Sequence, residues 1–374
     1  MRIGVPTEIK SNEFRVGLVP GSVRELVAKG HDVIVQAGAG AGIFADDETY
    51  VKAGARIVPD AAAVFAGSDM IVKVKEPQRV EWEKLRPDHI LFTYLHLAPD
   101  PAQAIGLLES GATAIAYETV TDPAGGLPLL APMSEVAGRL SIEAAALALR
   151  RPTGGRGVLM GGVPGVRPAK VVVLGGGVVG THAARMAQGL GAEVSIIDRS
   201  LPRLRQLDEL FEGRVKTLVS TMDTIETEVL AADVVVGAVL VAGASAPKLV
   251  TREMLGRMKK GAVLVDVSID QGGCFETSKA TTHANPTFEV DGIIHYCVAN
   301  MPGAVPTTSA QALNNATLPF VMKLAEKGLA AFDRDPHLAA GLNVKDGRIM
   351  HHAVAASLGF DRLDAGKALP VAAE

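Results

Sequence analysis

The chain has 374 residues, 48% of them hydrophobic but only 4% aromatic, and a formal net charge of -4 at pH 7. That length suggests about two domains, each able to bury its own core, and the acidic balance argues against a nucleic-acid surface. Met1 to Lys10 lacks the apolar stretch of a signal peptide, the longest apolar run (Val234 to Ala244) is far short of a membrane span, and two cysteines, Cys274 and Cys297, are too few for a disulfide framework, so a cytoplasmic protein with reduced thiols and no membrane or metal partner is expected.

The N-terminal third alternates short apolar strands with helical patterns. Strands are expected at Arg2 to Val5, Asp32 to Gln36, Asp69 to Val74, Ile90 to Leu95 and Thr113 to Tyr117, and helices at Gly21 to Lys29, Asp60 to Ala66 and Pro101 to Ser110. Such alternation makes a parallel α/β sheet, whose ligands gather beyond the carboxyl ends of the strands. Arg15, on the loop after the first strand, Lys75 and His96 lie at such ends. Taken singly they read equally as a surface cation, a solvated strand end and a rim histidine. Together they combine an anion clamp with a proton-transfer group. A glycine run at Gly38, Gly40 and Gly42 has the wrong spacing for a nucleotide loop and reads as a flexible or close-packed turn.

Pro132 and Ser134 open a long helix reaching Arg150, with Ser134 as its N-cap, and this helix is expected to cross between domains. A glycine and proline loop, Gly154 to Gly165, precedes the central motif. Val171 to Leu174 form an apolar strand, Gly175, Gly177 and Gly180 a G-x-G-x-x-G, and Val194 to Asp198 a strand ending in an acid about 20 residues on. The first glycine permits the tight turn, the second lets a pyrophosphate approach a helix N-terminus, and the third allows helix to pack on strand. Strand, turn, helix, strand and acid in register point to a dinucleotide fold. Strands at Lys216 to Val219, Asp233 to Val239, Ala262 to Val267 and Gly292 to Tyr296 complete six, placing Ser220, Val239, Leu240 and Val267 to Asp270 along the cofactor. Asp270 could also be a turn aspartate. Met301 to Pro306 reads as a second crossing, and the helical segments after Thr307 return to the first domain with no strands of their own; the tail from Leu363 to Glu374 is expected to fray.

These residues match a known pattern. The opening MRIGVPTEIKSNEFRVGLVP, AGAGAGIFADDETY, KVKEP around Lys75, YLHLA around His96, the GGVPGV loop and NMPGAVPTTSAQALNNATLP resemble bacterial alanine dehydrogenase along essentially the whole chain. The resemblance implies two Rossmann-like parallel-sheet domains of α/β class, the catalytic one discontinuous (1–130 and 307–374) around an inserted NAD-binding domain (131–306). It implies NAD-dependent oxidative deamination of L-alanine to pyruvate and ammonium, the reverse reaction, side activity on glycine or glyoxylate, and a homohexamer. By the same likeness Arg15 and Lys75 hold the substrate carboxylate and His96 and Asp270 are catalytic. Ser134, Val178, Val179, Asp198, Arg203, Ser220, Val239, Leu240, Val267, Ser268, Ile269, Asp270, Val298, Ala299, Asn300 and Met301 contact NAD with the glycines. By the same likeness Lys279 stands in the place of an arginine and contacts NAD, keeping the charge but not the fork. The Asp198 carboxylate favours NAD over NADP, whereas Arg199 and Arg203 nearby could accommodate a 2′-phosphate. The related NAD-binding component of proton-translocating transhydrogenase is the alternative enzyme, and a non-catalytic NAD-responsive binding protein the alternative of another class.

Overall fold

The computed structural model describes residues 1–239 and 246–359. Leu240 and the tail from Leu363 lie outside the described residues. The chain divides into two compact units, one comprising residues 1–132 with those from 305 onward, the other residues 133–304.

Six strands come first in chain order: β1 Arg2–Val5, β2 Asp32–Gln36, β3 Arg56–Val58, β4 Met70–Val72, β5 Ile90–Thr93 and β6 Thr113–Ala116. Seven belong to the second unit: β7 Lys170–Leu174, β8 Glu193–Asp198, β9 Lys216–Val219, β10 Val234–Gly237, β11 Val263–Asp266, β12 Thr287–Val290 and β13 Ile293–Tyr296; β14 Leu342–Lys345 and β15 Arg348–Ile349 return to the first.

In the first unit the order is β15-β14-β6-β5-β4-β1-β2-β3. The pairs from β6 to β3 are all parallel, while β14 lies antiparallel to both β6 and β15. The strand order reverses between β1 and β4, which makes that gap the sheet's switch point. The second unit runs β12-β13-β11-β10-β7-β8-β9, with β12 antiparallel and the rest parallel. Read from β9, the parallel strands follow the doubly wound order, with the switch point between β7 and β10. Helices covering both faces require strands apolar throughout, and Val171, Val172, Val173 and Val234, Val235, Val236 are fully buried as a result.

Several expectations need correction. The long helix spans Ala131–Ala148, so Ser134 sits inside its first turn and is not the N-cap. Pro132 explains the earlier start, since its fixed φ suits the first helical turn and its missing N–H costs nothing there. The region after Thr307 does carry strands. Helix Pro306–Lys327 is followed by the β14–β15 hairpin, turned by Asp346 and Gly347 at φ of 49° and 67°. Strands β3 and β12 were also not expected, being short segments on the sheet edges. The strands before Lys75 and His96 stop at Val72 and Thr93 rather than at Val74 and Leu95. In the glycine run Gly40 and Gly42 pack closely, a Cβ on them lying 2.3 Å from the Ala45 and 2.1 Å from the Phe14 carbonyl oxygen, while a Cβ on Gly38 would meet nothing within 4 Å. Both cysteines are free and buried. No described helix is long and apolar enough to cross a membrane.

Candidate active site

In the first unit, Arg15, Lys75 and His96 leave the carboxyl ends of β1, β4 and β5, which are neighbours beside the switch point. The Arg15 loop is pressed onto the end of β4: a Cβ on Gly17 would come within 2.3 Å of the Val72 carbonyl oxygen. Arg15 is 2% exposed, and its Nε and Nη2 donate to the two Glu13 carboxylate oxygens at 2.7 and 2.6 Å. This bidentate pair fixes the guanidinium plane. Burial works against the Arg15 charge, but the Glu13 bond and charge outweigh it and hold its pKa above the ordinary value.

The Lys75 segment is held by Glu8. One Glu8 oxygen accepts from the Val74 N–H at 2.7 Å, and the other faces the Lys75 N–H at 3.4 Å and the buried Lys73 ammonium at 3.1 Å. Glu81, at 2.8 Å, is the second carboxylate on Lys73. Burial pushes Glu8 up and Lys73 draws it back. Next along the sheet, His96 has a left-handed backbone, φ 48°, which costs a non-glycine residue on the order of 1–2 kcal/mol. Glu118, on the turn after β6, stabilises it by accepting the His96 N–H at 2.7 Å and the Leu95 N–H at 3.2 Å. The exposed imidazole stacks on Tyr94, centroids 5.7 Å apart and planes 7° from parallel. The buried Tyr94 hydroxyl donates to the Leu129 carbonyl at 2.5 Å, and burial raises its pKa.

The second unit contains the glycine loop. Gly175 has φ 102°, and a Cβ there would sit 2.6 Å from the Ala238 carbonyl oxygen. On Gly180 it would sit 1.8 Å from the Gly175 carbonyl oxygen, whereas on Gly177 it would meet nothing within 4 Å. Two glycines therefore serve the fold, and the third leaves open space at the N-terminus of helix Val178–Gly189, where amide donors and the helix dipole favour an anion. Asp198 ends β8, accepting from Gly176 N–H at 2.7 Å and Ser200 N–H at 2.8 Å, which leaves each oxygen a further lone pair. Arg203 braces the loop, its Nε donating to the Gly176 carbonyl at 2.7 Å and its Nη2 to Thr181 Oγ1 at 2.9 Å. These residues fit a dinucleotide.

Ser220 follows β9, Val239 follows β10, and Val267 to Asp270 follow β11, all on the carboxyl edge. Asp270 is exposed on the 3-10 turn Ile269–Gln271, while Ser268 Oγ donates to the Val239 carbonyl at 2.7 Å. Val298 to Met301 follow β13, and Asn300 has φ 56°. The exposed Lys279 is two residues from Thr281, whose N–H donates to the Cys297 carbonyl and whose own carbonyl accepts from Ala299, an isolated bridge that brings the chain at Thr281 beside that segment. Ser134 is half-buried on the helix that packs on Val178–Gly189 through Gly138, where a Cβ would be 2.3 Å from the Val179 carbonyl oxygen. Arg15, Lys75 and His96 thus belong to one unit, and Asp270 with the dinucleotide loop to the other.

Profile models described as alanine dehydrogenase/PNT, N-terminal domain and C-terminal domain, match residues 4–137 and 141–352. The chain belongs to the alanine dehydrogenase/PNT family. It is 59% identical over 366 residues to an alanine dehydrogenase of Halomonas elongata, covering 98% of this chain and 99% of that one. A solved L-alanine dehydrogenase superposes with a TM-score of 0.93 at 54% identity, over 96% of this chain and 99% of the other. A transhydrogenase from Sinorhizobium meliloti stands further off, at TM-score 0.81 and 27% identity over 94% of this chain and 100% of the other. Alanine dehydrogenase is thus the nearer branch of the family.

Four charged residues in this alanine dehydrogenase-like fold escaped the sequence reading: Glu8, Lys73, Glu118 and Asp266. Lys73 was signalled by a cation inside an apolar run, Ile71 to Val74, which must be paired if the run is buried. Asp266 carried the same kind of signal, an acid inside the apolar run Val263 to Val267, whereas Glu8 and Glu118 had none, because no spacing marks the backbone N–H groups they accept.

Proposed function

We propose that the chain catalyses the NAD-dependent oxidative deamination of L-alanine to pyruvate and ammonium, and the reverse reductive amination, with glycine and glyoxylate as slow alternatives. The observation that carries this reading is the pair of cations and the histidine leaving three adjacent strands beside one switch point, in a chain matching alanine dehydrogenases from end to end. Residues 1–130 with 307–374 form the catalytic domain and 131–306 the NAD-binding domain.

Arg15 and Lys75 hold the substrate carboxylate, and the Glu13 pair keeps the guanidinium from swinging away. A carboxylate fixed at two points gives Cα one orientation, so only one enantiomer directs its hydrogen correctly. Bound NAD would supply the acceptor for that hydrogen as a hydride. His96 and Asp270 take the protons that the amine and the attacking water must release, and return one to the departing ammonia. Gly175, Gly177, Gly180, Val178 and Val179 receive the pyrophosphate, and Asp198, braced by Gly176 and Ser200, receives the ribose hydroxyls. Ser134, Arg203, Ser220, Val239, Lys279 and Val298 to Met301 line the remainder of the cofactor. The protein acts in the cytoplasm as a homohexamer, to be measured by light scattering.

A panel of amino acids followed by NADH absorbance tests the assignment. L-alanine should give the highest kcat/KM and D-alanine none. A preference for leucine, glutamate or lysine would overturn the substrate. No NADH with any amino acid, despite NAD binding, would favour a transhydrogenase-like or non-catalytic role.

A further inference from the structure

Asp270 stands on a short excursion between β11 and the segment after Gly273, and the excursion is closed by one buried carboxylate. Asp266, the last residue of β11, is 0% exposed. Its Oδ1 accepts from the Ser268 N–H at 3.0 Å, and its Oδ2 accepts from the Cys274 N–H at 2.9 Å and the Phe275 N–H at 3.4 Å. The Ser278 hydroxyl also donates to Oδ2, and the Cys274 thiol lies 3.7 Å from Oδ1. These donors all fall between residues 268 and 278, so the carboxylate ties the start of the excursion to its end, with Asp270 between the two anchors.

The carboxylate has no room to move. A Cβ on Gly273 would meet Asp266 Oδ2 at 2.5 Å, and one on Gly237 would meet Cys274 Sγ at 2.3 Å and Asp266 Oδ1 at 3.2 Å. Gly273 and its neighbour Gly272 both have left-handed backbones, φ 73° and 84°, which let the chain fold back onto the acid. The outer edge of the excursion is held as well: the Lys248 ammonium donates to the Gly272 carbonyl at 2.5 Å, and the Ala246 N–H to the Gln271 carbonyl at 3.1 Å. Burying a carboxylate is costly unless it is fully hydrogen-bonded, and an amide could not replace it, because its NH2 would face either Ser268 N–H or the Cys274 and Phe275 N–H groups.

We infer that Asp266 is a positioning residue that sets the Asp270 side chain through the loop it closes. This rests on the reading of Asp270 as catalytic, and it assigns Asp266 no contact with substrate or cofactor. An error of about 1 Å at a reacting group costs on the order of 100-fold in rate, so a loop released at one anchor should lower kcat by roughly 10- to 100-fold, with the KM for alanine changed less than about 3-fold.

The experiment is a double-mutant cycle on the full-length enzyme, comparing Asp266→Asn, Asp270→Asn and the double variant for kcat, KM and NAD affinity. If Asp266 acts through Asp270, the Asp266→Asn loss seen in the wild-type background shrinks to less than about 2-fold once Asp270 is asparagine. An equal loss in both backgrounds makes Asp266 an ordinary structural acid and overturns the inference alone. A wild-type kcat for Asp270→Asn overturns the reading of Asp270, and the inference with it. Ser278→Ala, which removes a single donor, provides the same cycle if Asp266→Asn does not fold. Its loss should be smaller, about 3- to 10-fold in kcat, and should likewise vanish in the Asp270→Asn background.

Discussion

Replacing Gly177 and Gly180 by alanine, one at a time, separates the space the cofactor needs from the space the fold needs. At Gly177 the backbone angles, φ -67° and ψ -162°, suit any residue, and the added Cβ meets nothing within 4 Å. Stability should therefore hold within about 0.5 kcal/mol. The methyl nevertheless stands over the helix N-terminus proposed to receive the pyrophosphate, and crowding of this kind costs about 1–3 kcal/mol, or roughly 5- to 150-fold in NAD affinity. At Gly180 the Cβ would be 1.8 Å from the Gly175 carbonyl oxygen, where real Cβ atoms essentially never approach within 3.0 Å, and the obstacle is backbone. The same 1–3 kcal/mol then falls on the fold, lowering the melting midpoint by about 2–12 °C and weakening NAD along with it. Thermal unfolding and calorimetric NAD titration of both variants measure the contrast. Wild-type NAD affinity in Gly177→Ala, or wild-type stability in Gly180→Ala, would refute the reasoning.

His96→Ala should lower turnover by about 100-fold or more while NAD binding persists, and near-normal turnover would remove His96 from the mechanism. Lys75→Ala should damage both alanine affinity and kcat, since a carboxylate held at one point leaves Cα misoriented; unchanged kinetics with alanine and pyruvate would show the clamp to be misassigned. The kcat/KM with NAD should exceed that with NADP, and Asp198→Ala should narrow the ratio by about 10-fold or more by removing a charge that repels a 2′-phosphate; equal ratios in both proteins would contradict that role. Acid should weaken the fold through His89, which is fully buried, accepts the Arg86 N–H on Nδ1 at 3.1 Å and places Nε2 3.0 Å from the Phe65 carbonyl, and whose pKa burial lowers. The unfolded histidine takes up its proton near pH 6.5 and the folded one only below that, so stability is full above about 6.5 and falls as pH drops toward the folded value. Denaturant midpoints measured across that window should fall on the acid side and flatten in His89→Gln.

The dinucleotide loop was legible because each of its glycines answers a separate steric demand, and the acid ending β8 follows at a fixed interval. The placement of Arg15, Lys75 and His96 at neighbouring strand ends was legible because polar residues at the ends of apolar strands have few places to go in a parallel sheet. Ser134 was misread because Ser is a good cap and Pro132, two residues earlier, is a better helix start. The β14–β15 hairpin carried a signal in Asp346–Gly347, a turn pair suited to two left-handed residues, but the long helix before it set the expected pattern. Asp266 showed only as an acid inside the apolar run Val263 to Val267, and Glu8 and Glu118 could not be found in this way. Each works by accepting backbone N–H groups from a loop, and a backbone donor leaves no trace in residue identity.

The central claim is that alanine is deaminated at the expense of NAD, and the direct measurement is stoichiometry. Purified enzyme given L-alanine and excess NAD should release pyruvate, ammonium and NADH in equal amounts, and pyruvate with ammonium and NADH should run the reaction backwards to L-alanine. NADH formed without ammonium, or no NADH from L-alanine while NAD binds, would contradict it.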